Sequence, residues 1–131
     1  MKILHTADWH LGTFRSPVKD GVNLRTEDTK RCLDELIRVA NEEKPDYSLV
    51  SGDIFHVGRL WSDRCCEEII TAIHYIRELA AVSKQVVVMR GTPNHDGSGQ
   101  FNVLSEMFAD VPNVHVVITP PVSYTHLRAH E

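Results

Sequence analysis

Four short apolar runs, with three stretches of helical periodicity between them, restrict the folds open to this chain. Residues 2–7 form a short run that turns polar at Asp8, and a long Gly-containing loop extends to about residue 25. Leu33, Leu36, Ile37 and Ala40 recur at three- and four-residue steps, which predicts a helix over residues 26–43, stopped by Pro45. A second strand is expected over 47–51 and a loop over 52–61. Ser62 then caps a long helix whose inner face carries Ile69, Ile73, Ile76 and Ala80. A third strand over 85–89, a short helix over 101–109 and a fourth strand over 114–118 complete the order β-α-β-α-β-α-β. Such alternation indicates an α/β fold with a parallel sheet and right-handed crossovers. Chemistry in sheets of this kind gathers in the loops that leave the carboxyl ends of the strands.

Composition adds limits. The 131 residues, 42% of them hydrophobic, suffice for one modest domain with a real core. A formal net charge of −4, from 14 basic and 18 acidic residues, argues against a simple electrostatic nucleic-acid binder. It leaves a nuclease open, because bound divalent cations can place positive charge where a phosphate sits. An odd set of cysteines, Cys32, Cys65 and Cys66, suits a reduced compartment, and neither a signal-peptide core nor a transmembrane run is visible. A soluble, cytoplasmic protein is expected, with no membrane partner.

The three strand-end loops each bring polar donors: Asp8-Trp9-His10, then Gly52-Asp53-Ile54-Phe55-His56, then Gly91-Thr92-Pro93-Asn94-His95-Asp96. Carboxylate, imidazole and amide donors together suit Mn²⁺, Fe²⁺ or Zn²⁺ better than Ca²⁺. Residues two apart in extended backbone point the same way, so Asp8 and His10 are expected to grip one ion, and the two oxygens of Asp53 to bridge a pair. Gly52 and Gly91 permit tight turns where a side chain would crowd metal or substrate.

These three blocks, in this order, resemble the calcineurin-like metallophosphoesterases, whose pattern is Asp-x-His, Gly-Asp-x-x-(Asp, His or Asn) and Gly-Asn-His-(Asp or Glu). His5-Thr6-Ala7-Asp8-Trp9-His10-Leu11-Gly12 and Gly52-Asp53-Ile54-Phe55-His56 resemble, more narrowly, the SbcD-type nuclease subunits of double-strand-break repair. The third block departs by two residues inserted between Gly91 and Asn94. The resemblance implies the N-terminal half of an α/β/β/α sandwich, mostly parallel sheet with flanking helices. It implies two divalent metal ions, Mn²⁺ first and Fe²⁺, Zn²⁺ or Mg²⁺ as alternatives. Asp8 and His10 would bind the first ion, Asp53 both, and Asn94 the second. His95 would be the catalytic acid that protonates the departing sugar oxygen, with Asp96 nearby to orient it, and His56 would position substrate. The implied activity is phosphodiester hydrolysis on DNA. The implied partners are DNA and an SbcC-type ATPase subunit, with a homodimer of the full-length protein also open.

Alternative readings stand beside this one. A phosphatase or nucleotide phosphodiesterase would use the same residues, and an inactive fragment or interaction module would use none of them. A two-metal site needs about seven protein donors, whereas the loops supply four. The family's further His and Gly-His-x-His block do not appear, so little activity is expected of this chain by itself. Residues 1–121 are read as a partial nuclease domain and 122–131 as a tail resembling a translated adapter. Its His126 and His130 match no family ligand. His5, His74 and His115 read as hydrogen-bonded structural residues. Trp9 and Phe55 read as packing beneath the site, and Cys65 and Cys66 as packing residues. Arg15, Lys19, Arg25, Arg59, Arg64 and Arg90 could touch a phosphate backbone or simply be solvated.

Overall fold

The computed structural model describes residues 1–12, 18–56 and 63–118, without the side chains of Val18 and of residues 63–66. Its elements are β1 (Ile3–Thr6), β2 (Val18–Lys19), β3 (Val22–Asn23), α1 (Leu24–Glu43), β4 (Tyr47–Ser51), α2 (Asp63–Val82), β5 (Gln85–Met89), α3 (Ser98–Met107) and β6 (Val114–Val117). The four main strands lie in the order β1-β4-β5-β6, and every neighbouring pair is parallel. The family-half α/β reading is therefore what the chain adopts. One element goes beyond it: the first long loop contains a tiny antiparallel hairpin, β2 with β3.

Helix boundaries shift for local reasons. Asn23 accepts hydrogen bonds at Oδ1 from the backbone N–H groups of Arg25 and Thr26, so α1 starts two residues before the periodic apolar positions suggest. It ends at Lys44, which takes a left-handed conformation (φ 46°) directly before Pro45. The glycines of Gly97-Ser98-Gly99 read as loop. Yet the Gly97 N–H donates to Gln100 Oε1 at 2.8 Å, and α3 begins at Ser98. The Ser62 cap expected for α2 lies outside the described residues.

Sequential parallel strands joined by crossovers of one hand put all three helices on one face of the sheet. Burial agrees with this. Ser48, Val50, Val86, Val88 and Val114 point into the helix layer and are buried, where they meet Leu33, Ile37, Ala72, Ile76, Leu79 and Leu104. The alternate residues of the same strands face away. Among them Ile3 is 58% exposed, Met89 42% and Tyr47 39%, a fraction of apolar surface that marks this as an uncovered face. The expected structural histidines behave as such: His5 Nε2 bonds Ser51 Oγ, His115 Nε2 bonds Gln85 Oε1, and His74 pairs with Glu78.

Candidate metal centre

The carboxyl ends of β1, β4 and β5 are adjacent in the sheet, and the loops leaving them are joined by backbone hydrogen bonds. The N–H groups of Asp8, His10 and Leu11 donate to the carbonyls of Gly52, Asp53 and Ile54 at 3.1, 3.0 and 2.8 Å, and the His56 N–H returns to Leu11 O at 2.9 Å. Leu11 and Phe55 thus form a parallel bridge that extends the β1–β4 pairing past the ligand-bearing residues. Beneath it Trp9 and Phe55 are buried. The Trp9 indole N–H donates to Thr6 Oγ1 and its ring meets Tyr75 edge-on, while Phe55 meets Phe101. Both aromatics therefore hold the loops from below.

Asp8, His10 and Asp53 converge, each offering one ligand atom within 4.8 Å of the others. The route is not the expected one. Asp8 and His10 do not alternate along extended backbone; they have φ of 56° and 48°, and Asp53 has 52°. All three lie in the left-handed region, which Asp and His enter more readily than most residues, at a cost of about 1 kcal/mol each. The turn at each position swings its side chain toward the common centre, and His10 Nε2 stands 3.7 Å from Asp8 Oδ1.

Two glycines bring the second and third loops together. A Cβ on Gly52 (φ 89°) would lie 2.7 Å from Gly91 Cα, and one on Gly91 would lie 2.3 Å from both the backbone nitrogen and Oδ1 of Asp53. What they make room for is each other's backbone and the Asp53 carboxylate.

The third loop takes up its two extra residues in a turn, with the N–H groups of His95 and Asp96 both donating to Thr92 O. Thr92 itself gives Asp53 Oδ1 two hydrogen bonds, from its backbone N–H at 2.9 Å and its hydroxyl at 3.1 Å. Burial pushes the Asp53 carboxyl up, but these bonds, together with the nearby His95 and His10, hold it below the usual carboxylate range. One Asp53 oxygen is thus already committed, which limits the bridging expected of it. No signal in the three-block pattern pointed to Thr92; the insertion itself was the clue.

His95 lies beside the cluster, with its ring centroid 4.7 Å from that of His10. Its Nδ1 is 2.8 Å from the His56 carbonyl oxygen. A carbonyl only accepts, so Nδ1 carries the hydrogen and Nε2 is left as the basic nitrogen. The group that fixes the His95 ring is therefore a backbone carbonyl. Asp96, expected to orient His95, is fully buried and turned the other way: Oδ1 accepts from Phe55 N–H and Oδ2 from Gly91 N–H, which clamps the second loop to the third. Burial pushes its carboxyl up, against the opposing effect of these bonds. Asn94 is exposed in the turn just before His95, and His56 is half-buried with its ring 6.2 Å from His10 and 6.1 Å from His95. Arg90 donates to the Asp96 carbonyl, while Lys19 is exposed in the hairpin of the first loop and Arg25 in the first turn of α1. Arg15 and Arg59, the side chain of Arg64, and the tail with His126 and His130 lie outside the described residues.

The pattern of the calcineurin-like phosphoesterases matches residues 1–126. The chain belongs to that family. Members of the calcineurin-like phosphoesterase family use divalent metal ions, and the Asp8, His10 and Asp53 donors suit such ions in type. Similar proteins include the SbcD component of the nuclease SbcCD from Staphylococcus epidermidis, 30% identical over 108 residues, and its counterpart from Staphylococcus saprophyticus, 31% identical over 108 residues. Each alignment covers 82% of this chain and 26% of the relative, so the chain spans about a quarter of the length of these relatives. The similarity supports the SbcD-type branch within the calcineurin-like phosphoesterases. Among the described residues no helix is long and apolar enough to cross a membrane.

Proposed function

We propose that this chain carries the nucleolytic face of a metal-dependent phosphodiesterase acting on DNA, of the kind its relatives' name describes, in DNA repair in the cytoplasm. One observation carries the reading: three strand-end loops bring Asp8, His10 and Asp53 within 4.8 Å of one another, with the His95 ring at 4.7 Å from His10. Asp8, His10, Asp53 and Asn94 would hold the ions, with Mn²⁺ the ion of choice. Divalent ions bound there supply the positive charge that neutralises a phosphate and makes water a stronger nucleophile.

The chain's own groups provide the rest. His95, held through its Nδ1–H by the His56 carbonyl, keeps Nε2 as the basic nitrogen, and a proton on it can pass to the departing sugar oxygen. Asp96 fixes the loop from which His95 projects, and the His56 ring borders the space a substrate phosphate would occupy. The second component implied by the relatives' name is part of the proposal for the whole protein, as is weak turnover by this chain alone.

The test compares Mn²⁺-dependent cleavage of linear duplex DNA with turnover of a small phosphomonoester, using this chain and a full-length form. His95→Ala should reduce DNA cleavage by a factor of about 10² to 10⁴ while Mn²⁺ binding persists. Full activity in that variant removes His95 as the acid. Preference for the phosphomonoester assigns the chain to the phosphatase branch of the same family.

A further inference from the structure

The histidines of the site stand in a second arrangement that phosphodiester hydrolysis does not use. We propose that His10, His56 and His95 form a nitrogen-only cation site selective for Zn²⁺, and that its occupation excludes a cation at Asp8, His10 and Asp53. The geometry stands by itself; the regulatory consequence rests on the phosphodiesterase reading.

One ring nitrogen from each of the three histidines lies within 4.8 Å of those of the other two. Tetrahedral zinc with Zn–N of about 2.0–2.1 Å places its nitrogens about 3.3 Å apart, so closing the cluster takes at most about 1.5 Å of side-chain movement. The rings stand at 80°, 60° and 35° to one another, with none stacked face to face on its neighbour. All three are half-buried; the loops of His10 and His56 are tied by the hydrogen bonds of Leu11 with Ile54 and His56, and that of His95 by Asp96, which accepts from Phe55 N–H. His95 already has the arrangement typical of a histidine ligand: its Nδ1–H is held by a backbone carbonyl, which leaves the lone pair on Nε2.

The chemistry separates the two sites. Three imidazoles with a fourth position open suit zinc, whereas Mn²⁺ and Mg²⁺ favour carboxylate oxygen. The carboxylate site is also weakened, because Thr92 occupies Asp53 Oδ1. His10 belongs to both groups, and a neutral imidazole has a single lone-pair nitrogen, so it serves one ion at a time. Zinc in the histidine site would also take His95 Nε2, the nitrogen that carries the proton in the proposed reaction. The site would thus act as a zinc-operated block.

Calorimetric titration of the metal-free chain with Zn²⁺ and with Mn²⁺, and Co²⁺ as a visible probe, tests this. His56→Ala keeps the Cβ that packs against Gly12. It should weaken Zn²⁺ binding at least about tenfold, abolish the tetrahedral Co²⁺ band and leave Mn²⁺ affinity within about twofold. Asp53→Asn should do the reverse, and Zn²⁺ should displace bound Mn²⁺ from the unmodified chain. His95→Ala serves as the second variant if His56→Ala proves unfolded by circular dichroism. Unchanged Zn²⁺ affinity in the folded variant, or equal loss of both metals, overturns the proposal. Absence of DNA cleavage by the full-length form, with zinc binding intact, removes only the hydrolytic reading.

Discussion

Gly91→Ala should both destabilise the chain and disable its cation site, because Gly91 occupies the point where the second and third loops touch. The added methyl would lie 2.3 Å from the backbone nitrogen of Asp53 and 2.3 Å from its Oδ1, whereas such contacts are comfortable near about 3.5 Å. Asp53 would have to retreat by about 1 Å. It is poorly placed to do so, since its carbonyl accepts from His10 N–H at 3.0 Å and the preceding carbonyl, of Gly52, accepts from Asp8 N–H at 3.1 Å. Overpacking against backbone that cannot swing aside belongs at the upper end of the usual range, about 3 kcal/mol. With a urea dependence of about 1.5 kcal/mol per molar, the unfolding midpoint should fall by about 2 M. Gly21→Ala is the control: its φ of 78° carries only the left-handed penalty, because nothing lies within 4 Å of the new methyl. Its cost should be about 1 kcal/mol, a shift of about 0.7 M. Added Mn²⁺ should raise the midpoint of the unmodified chain and of Gly21→Ala, but not that of Gly91→Ala. Equal midpoints for the two variants, or an undiminished Mn²⁺ effect in Gly91→Ala, would refute the argument that the abutting loops set the site.

Two further expectations concern the buried groups around the site. Asp96→Asn turns an NH₂ toward one of the backbone N–H donors that the carboxylate serves, from Phe55, Gly91 and Asp53, and should cost about 2 kcal/mol in urea unfolding. No loss of stability would mean that Asp96 is not the clamp between the loops. For pH, burial together with the neighbouring His10 and His95 holds His56 below the ordinary imidazole range. Between the ordinary value near about 6.5 and the lower folded one, the unfolded chain takes up a proton that the folded chain refuses. Stability is therefore expected to fall as pH drops below about 6.5 in metal-free buffer, and His56→Gln should flatten that fall. A steeper decline in the Gln variant, read from urea midpoints at pH 7.5 and 5.5, would reverse the sign assigned here.

The fold was legible because period and burial coincide. Val86 and Val88 sit in a helix-covered strand, and Leu33, Ile37 and Ala40 recur on the inner face of α1, so local pattern and tertiary packing specify the same elements. Less legible were the features set by side-chain capping. Asn23 and Gln100 start α1 and α3 through hydrogen bonds that hydrophobic periodicity does not register, and the β2–β3 hairpin is too short to show alternation.

At the site, donor identity could be read from the sequence but the backbone that aims the donors could not. Asp-x-His at a strand end suggests alternation, and extended backbone would indeed send both side chains to one side. The chain instead turns left-handed at Asp8, His10 and Asp53, which costs about 1 kcal/mol at each. Four backbone hydrogen bonds between the first and second loops persist only with these turns in place, and at a net value of about 1 kcal/mol apiece they offset the strain. Asp and His do two jobs at such positions: they are donors, and they tolerate positive φ. That double requirement explains why a short motif carries so much information, and why its geometry stays hidden until the partner loop is seen. Thr92 and the His56 carbonyl follow the same logic. One is an inserted residue and the other a main-chain atom, so neither belongs to any donor pattern, yet they decide which Asp53 oxygen is available and which His95 nitrogen keeps its lone pair.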